Sequence, residues 1–123
     1  MLLVDKVLLN FSGLAVLKEI SFTLSKGEIL AIIGPNGAGK TSLFNCISGV
    51  YKPSGGNIQF EGKSTLHLQP QEISAIGIAR MFQNLAIFET LTVQENLLLG
   101  CHNHYKSSWL SAVLWSPTAK NEE

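Results

Sequence analysis

One stretch of the chain has residue types and a spacing that could hold a polyphosphate. Its members are Gly34, Pro35, Asn36, Gly37, Ala38, Gly39, Lys40 and Thr41, with Ser42 directly after them. A polyphosphate is bound well by several backbone N–H groups that converge from a tight loop, and small residues let the main chain come close enough. A glycine, four further residues and then Gly-Lys-Thr is the spacing of a P-loop. The stretch therefore predicts triphosphate binding.

Three side chains of this stretch add specific contacts to the predicted site. The Lys40 ammonium can reach the outer phosphates, Thr41 offers a hydroxyl to Mg²⁺, and Ser42 can offer another to an inner phosphate. Backbone amides at the start of the helix that follows add the positive end of its dipole. A simple turn between a strand and a helix would explain one or two glycines, but neither Lys40 nor the hydroxyl after it. Phosphate binding is therefore the preferred interpretation.

The overall composition is that of a soluble globular chain near neutrality. Its 123 residues include nine basic and nine acidic side chains, which suits one domain and gives no basic excess for nucleic acid. The apolar stretches are broken well before the roughly 20 residues that cross a bilayer, and Asp5 lies where a signal peptide would have its apolar core. We therefore expect a cytosolic location. Cys46 and Cys101 lack metal or redox spacing and are expected to be small buried or neutral thiols rather than a disulfide pair.

The segments before the phosphate stretch predict strands. Alternating apolar residues favour a strand over 4–11, a turn at 12–13 and strands over 14–19 and 20–24. The unbroken apolar run 29–33 suits a strand that is covered on both faces. This run would lead directly into the phosphate stretch.

The segments after the phosphate stretch mix helix and strand patterns. The first is a helix with an apolar face formed by Leu43, Phe44, Ile47 and Val50, which should pack on the sheet. Strands over 57–60 and 63–66 then form a hairpin, and a short helix begins at Pro70 and ends before Gly77. A strand is predicted over 78–82. A helix opens with a capping box of Thr92 and Glu95, and an apolar stripe at helical spacing covers 109–114.

Three motifs in order give the chain a resemblance to a known family. The phosphate stretch is followed by Gly-Ile-Ala-Arg-Met-Phe-Gln-Asn at 77–84 and by Leu-Thr-Val-Gln-Glu-Asn-Leu at 91–97. Together they resemble the nucleotide-binding subunits of ABC transporters, and most of all those of branched-chain amino acid importers. The resemblance implies an α/β fold of the P-loop NTPase type with an N-terminal antiparallel β subdomain. Residues 1–123 would be the N-terminal part of that domain, truncated before the second half of its parallel sheet.

The resemblance also assigns roles to individual residues. Phe11 corresponds to the aromatic residue that stacks on adenine, and 34–42 corresponds to the phosphate loop. Gln83 corresponds to the glutamine that contacts Mg²⁺ and the attacking water. Catalytic roles are thereby implied for Lys40 and Gln83, and metal contacts for Thr41 and Gln83.

The partners that the resemblance implies are ATP, Mg²⁺, transmembrane permease subunits and a second ATP-binding subunit, without nucleic acid. The segment 84–92 corresponds to the surface that meets the membrane subunit. The expected location is cytoplasmic, peripheral on the inner face of the cell membrane.

Two functional hypotheses remain open because other family motifs are missing from the 123 residues. The family also has a Leu-Ser-Gly-Gly signature loop, an apolar strand that ends in Asp-Glu, and a switch histidine, whereas Asp5 is the single aspartate here. None of the histidines follows an apolar strand; they are His67, His102 and His104. The chain could be part of an ATP-hydrolysing importer subunit, with weak or no hydrolysis by itself. Alternatively, it could be a truncated, non-hydrolysing nucleotide-binding or interaction module that docks to a membrane subunit.

A small GTPase or kinase is a third and weaker interpretation. Guanine recognition normally uses an Asn-Lys-x-Asp element, and the single aspartate lies upstream of the phosphate stretch.

Overall fold

The computed structural model of the protein describes residues 1–81 and 87–100. The chain divides into two compact units, Met1–Arg80 and Met81–Glu123. The elements of the first unit are β1 (Leu2–Phe11), β2 (Leu14–Leu24), α1 (Lys40–Ile47), β3 (Gly55–Phe60), β4 (Lys63–Ser64) and α2 (Pro70–Ala75). The second unit contributes α3 (Val93–Gly100).

The sheet of the first unit is antiparallel, with the strand order β2-β1-β3-β4. β1 and β2 form a hairpin whose closing pair is Phe11 and Leu14. Ser12 and Gly13 both have positive φ, 44° and 88°, as a two-residue turn between right-twisted strands requires. The predicted turn is therefore confirmed. The two strands predicted over 14–19 and 20–24 are one strand, with an irregularity at Glu19, where φ is 50°.

A bulge in β1 explains how two valines three positions apart both enter the core. In a regular strand Val4 and Val7 would point to opposite faces, yet both are 0% exposed. The pairing register shifts between them, where Lys6 has a φ of 47° and its N–H donates to the Ser21 hydroxyl at 2.8 Å. On the neighbouring strand a Cβ at Gly56 would lie 2.2 Å from the Lys6 carbonyl oxygen. The bulge therefore requires glycine at position 56.

The core of the first unit lies between the sheet and α1. Its buried members are Val4, Val7, Leu9, Leu17, Leu43, Cys46, Ile47 and Ile58. The predicted packing of α1 on the sheet is confirmed, but its predicted apolar face is only partly correct. Phe44 and Val50 are half exposed, and Cys46 is buried instead. Val50 lies beyond the last residue of the helix, so helical spacing does not apply to it.

Two predicted strands are not found. Residues 29–33 do not form a strand, and Ile29 and Ile33 are 96% and 91% exposed. A strand that is covered on both faces needs neighbours to pair with, and none of the four strands of the described residues pairs with this run. The strand predicted over 78–82 is also absent over 78–81, and position 82 lies outside the described residues.

The smaller elements largely follow their predictions. β3 and β4 form the expected hairpin through Glu61 and Gly62, although β4 stops at Ser64 rather than 66. α2 begins at Pro70 and ends before Gly77, as predicted. The Thr92 capping box of α3 is confirmed too, because the Glu95 carboxylate accepts from the Thr92 N–H at 2.7 Å. The predicted stripe at 109–114 lies outside the described residues.

Candidate functional site

Residues 34–39 form a tight loop that leads directly into α1. Gly37 and Gly39 have positive φ, 84° and 87°, a conformation in which other residues are strained. A Cβ at Gly39 would lie 3.0 Å from the Val16 carbonyl oxygen, and one at Gly34 would lie 3.3 Å from the Ala38 Cβ. The loop thus closes on itself at one end and lies against the backbone of β2 at the other. Gly39 is therefore constrained both by its conformation and by this contact, whereas a Cβ at Gly34 would crowd Ala38.

The Lys40 side chain folds back over this loop. Its ammonium donates to the carbonyl oxygens of Gly34 at 2.6 Å and of Pro35 at 2.7 Å. The Ala38 N–H also donates to Pro35, at 3.3 Å. An ammonium has three N–H donors, so the two contacts hold the charge at the loop and leave a donor for an anion. The geometry therefore places a positive charge beside the loop amides.

The first turn of α1 has a set of donors without intrahelical partners. Gly39 precedes the helix and cannot cap it with a side chain, and the first turn contains no acidic residue. The Leu43 N–H is the first to bond within the helix, to Gly39 at 2.8 Å. The N–H groups of Lys40, Thr41 and Ser42 therefore lie at the positive end of the helix dipole. The hydroxyl groups of Thr41 and Ser42 lie in the same turn. This arrangement suits an anion.

Phe11 is the last residue of β1, and its ring is 45% exposed. The ring meets that of Tyr51 edge to face, with centroids 5.2 Å apart and planes at 80°. Phe11 pairs with Leu14 at the start of β2. Two residues later in β2, the Val16 backbone lies against Gly39. The structure therefore places the predicted adenine platform and the phosphate loop at the same end of β2.

The predicted Gln83 lies outside the described residues, so its role stays a prediction. Sequence reasoning missed a different residue that lies close to it in the chain, Arg80. Its guanidinium donates to the Asn45 side chain at 2.6 Å and to the Ser48 hydroxyl at 3.2 Å, and lies 5.9 Å from the centre of the Phe44 ring. These contacts tie the segment after α2 to the C-terminal half of α1.

An apolar cavity of about 390 Å³ is lined in part by the C-terminal end of the loop. Its lining comes from Leu17, Ile20 and Phe22 of β2, from residues 30–33, and from Ala38 to Lys40 and Leu43. Such a lining does not suit a polyphosphate, which needs polar partners. The candidate site is therefore the loop and the start of α1, not this cavity.

Cys46 lies on the buried side of α1 and is a free thiol. Burial raises its pKa to about 11, so the thiol stays protonated at neutral pH. The expectation of a neutral, buried thiol is confirmed for Cys46, whereas Cys101 lies outside the described residues.

A loop with the Gly-x-x-x-x-Gly-Lys-Thr spacing that opens directly into a helix is the feature of P-loop proteins. The profile described as "ABC transporter" matches residues 17–122. The chain belongs to the ABC transporter family.

Known relatives give the same assignment. The chain is 38% identical to the high-affinity branched-chain amino acid transport ATP-binding protein LivG of Salmonella typhimurium strain LT2, over 100% of this chain and 48% of the relative. It is 42% identical to the ribose import ATP-binding protein RbsA of Halalkalibacterium halodurans, over 84% of this chain and 21% of the relative. The chain thus spans about half the length of LivG.

The structure also resembles a solved ATP-binding cassette of an ABC transporter, MJ1267. The TM-score is 0.76 at 35% identity, over 93% of this chain and 45% of the other. The fold is therefore the ABC ATPase form of the α/β P-loop NTPase fold, and the antiparallel sheet β2-β1-β3-β4 is its N-terminal β subdomain.

Proposed function

We propose that this chain is the N-terminal part of the ATP-binding subunit of an ABC transporter and that residues 34–42 bind Mg-ATP. The observation that carries the proposal is the Lys40 ammonium held against the Gly34 and Pro35 carbonyls, next to the uncapped start of α1. Lys52 also donates to two backbone carbonyls, so the lysine contact alone is not specific. What a polyphosphate needs is the combination of the Lys40 charge with the amides of the loop and of the start of α1.

Each residue of the proposed site has a physical role. The amides of the loop and of the first turn of α1 bind phosphate oxygens, and the Lys40 ammonium turns from the loop carbonyls toward the outer phosphates. Thr41 holds Mg²⁺ through its hydroxyl, and Ser42 binds an inner phosphate. Bound Mg²⁺ neutralises charge on the phosphates.

Two residues outside the loop complete the proposed site. The Phe11 ring offers a flat apolar face on which adenine stacks. Gln83, by analogy with the family, contacts Mg²⁺ and the attacking water and so shares the catalytic role with Lys40.

At the level of the whole transporter, we propose that ATP binding and hydrolysis energise the import of branched-chain amino acids or a similar small polar solute. The similarity to LivG supports this solute class, while the ribose importer RbsA matches as well. Transmembrane permease subunits would meet the segment 84–92, and a second ATP-binding subunit would pair with this one. The subunit would lie on the inner face of the cell membrane. Among the described residues, no helix is both long enough and apolar enough to cross a bilayer.

The second candidate is a non-hydrolysing nucleotide-binding or interaction module that docks to a membrane subunit. Asp5 is the single aspartate of the 123 residues, and a module that only binds nucleotide needs no Asp-Glu pair. The Asp-Glu pair with which the family holds Mg²⁺ and polarises water therefore has no counterpart in this sequence.

The test of ATP binding compares two lysines with the same kind of contact. Lys52 lies outside the loop, and its ammonium also donates to two backbone carbonyls, those of Leu66 at 2.7 Å and Leu68 at 2.6 Å. We expect Lys40→Ala to weaken Mg-ATP binding by about tenfold or more, which is at least about 1.4 kcal/mol. Lys52→Ala should leave the affinity within about twofold of the native value. Isothermal titration calorimetry measures both.

Equal affinities for the native chain and folded Lys40→Ala would contradict the proposed site. A phosphate-release assay on the same samples separates the two candidate functions. The non-hydrolysing module predicts binding without release, whereas release that Lys40→Ala abolishes would favour a hydrolysing subunit.

A further inference from the structure

Tyr51 contacts the proposed adenine platform, although sequence reasoning did not single it out. Its ring meets Phe11 edge to face at 5.2 Å and 80°. Such a pair stabilises the arrangement of the two rings beyond the apolar area that it buries. An edge-to-face contact uses one face or one edge of the Phe11 ring, so Tyr51 itself leaves at least one face of that ring uncovered.

The loop that carries Tyr51 is bonded to both parts of the proposed nucleotide site. On the side of β1, Ser54 donates its N–H to Leu8 at 2.8 Å, and its hydroxyl accepts from the Asn10 N–H at 3.0 Å. On the side of α1, the Tyr51 N–H donates to Asn45 at 3.0 Å. The short segment 51–54 therefore links the strand end that carries Phe11 with the helix that the phosphate loop opens.

The geometry points to Tyr51 as a positioning residue for the nucleotide base, an inference that rests on the proposed ATP binding. The Tyr51 side chain holds the exposed Phe11 ring in one orientation, and the bonds of Tyr51 and Ser54, without the Lys52 side chain, fix that ring relative to α1. A ring that is already oriented loses less conformational entropy when a base stacks on it. The phosphates are bound elsewhere, by the loop amides and Lys40. Tyr51 therefore acts on the base and not on the phosphates.

This division predicts different effects on two probes, Mg-ATP and inorganic tripolyphosphate with Mg²⁺. Tripolyphosphate has the phosphates of ATP but no base. We expect Tyr51→Leu to weaken Mg-ATP about fivefold, within the range for ordering one side chain on binding, and to leave the tripolyphosphate affinity within about twofold. Tyr51→Phe keeps the ring and should retain the native affinity for both. Lys40→Ala, in contrast, should weaken both probes.

The experiment is a calorimetric titration of each variant of the full chain with each probe, after a thermal melt has shown that the variant is folded. Phe11→Leu removes the proposed platform itself, at a residue that is already 45% exposed. It should weaken Mg-ATP selectively, and adding Tyr51→Leu to it should cause little further loss, because the pair is already broken.

Several results would overturn the inference. An unchanged Mg-ATP affinity in Tyr51→Leu would remove the role of the ring, and an equal loss for both probes would show a structural effect only. If Tyr51→Leu does not fold, an unchanged Mg-ATP affinity in Phe11→Leu overturns it as well. Failure of the proposed function gives a different result from failure of this inference. In that case Lys40→Ala and the native chain bind Mg-ATP and tripolyphosphate equally.

Discussion

At the scale of single residues, Gly39 combines two requirements that no other residue type meets. Its φ of 87° is strained for residues with a Cβ, and an added Cβ would lie 3.0 Å from the Val16 carbonyl oxygen. Gly37 shares the conformation, with a φ of 84°, but a Cβ there would meet nothing within 4 Å. Comparing substitutions at the two glycines therefore distinguishes the cost of backbone strain, which both share, from the cost of the steric contact, which only Gly39 has.

We predict that Gly37→Ala lowers the free energy of unfolding by about 1–2 kcal/mol, the cost of the left-handed conformation. Gly39→Ala should cost clearly more, because the loop must also move away from the backbone of β2. Urea denaturation of the two variants beside the native chain measures the difference. Equal losses would show that the contact with Val16 does not constrain the loop.

The role of Lys40 was predictable from its spacing, but its contacts were not. The P-loop pattern indicates a lysine near phosphates. The bonds of its ammonium to the Gly34 and Pro35 carbonyls depend on the closed backbone of the loop, which spacing alone does not define. The pairing of Tyr51 with Phe11 was missed for a similar reason. These rings are 40 positions apart, and only the fold of β1 against the segment after α1 brings them together.

At the scale of elements, local signals predicted the structure well where the element depends on its own residues. The hairpin turn at Ser12 and Gly13, the start of α2 at Pro70 and the capping box of α3 all follow from short-range chemistry. The β1 bulge was not predictable from periodicity, because it depends on Gly56 of a neighbouring strand. The strand predicted over 29–33 was wrong because a strand also needs a partner to pair with, and none of the strands in the described residues pairs with this run.

The capping box of α3 gives a prediction about pH. The pKa of Glu95 lies below its ordinary value, first because its carboxylate accepts from the Thr92 N–H and then because it accepts from the Thr92 hydroxyl. The folded state therefore favours the ionised form. The stabilising contribution is fully present above the pKa of the unfolded chain, and it is lost as the pH falls through the lowered pKa of the folded state.

We expect an NMR titration of the Glu95 carboxyl carbon to give a pKa below the ordinary value of a glutamate. Thr92→Val removes the hydroxyl donor but keeps the N–H, so the pKa should rise only part of the way back. A native pKa at or above the ordinary value would show that the carboxylate does not cap α3 in solution.

At the scale of the whole molecule, the first unit already contains the parts of the proposed site that the structure describes. The loop 34–39, the start of α1 and Phe11 all belong to Met1–Arg80. The chain spans 48% of LivG and 45% of the solved cassette MJ1267. Phosphate binding can therefore be measured on this chain itself. Transport and hydrolysis are proposals about a longer assembly.

The central claim is that main-chain amides of the loop and of α1 hold the phosphates of ATP. The most direct measurement is a two-dimensional ¹H–¹⁵N NMR spectrum of the labelled chain during titration with Mg-ATP. The amides of Gly37, Gly39, Lys40 and Thr41 should shift strongly, while Gly62, in a left-handed turn of the β3–β4 hairpin, should not. If the loop amides stayed in place, or shifted no more than Gly62, the account would be wrong.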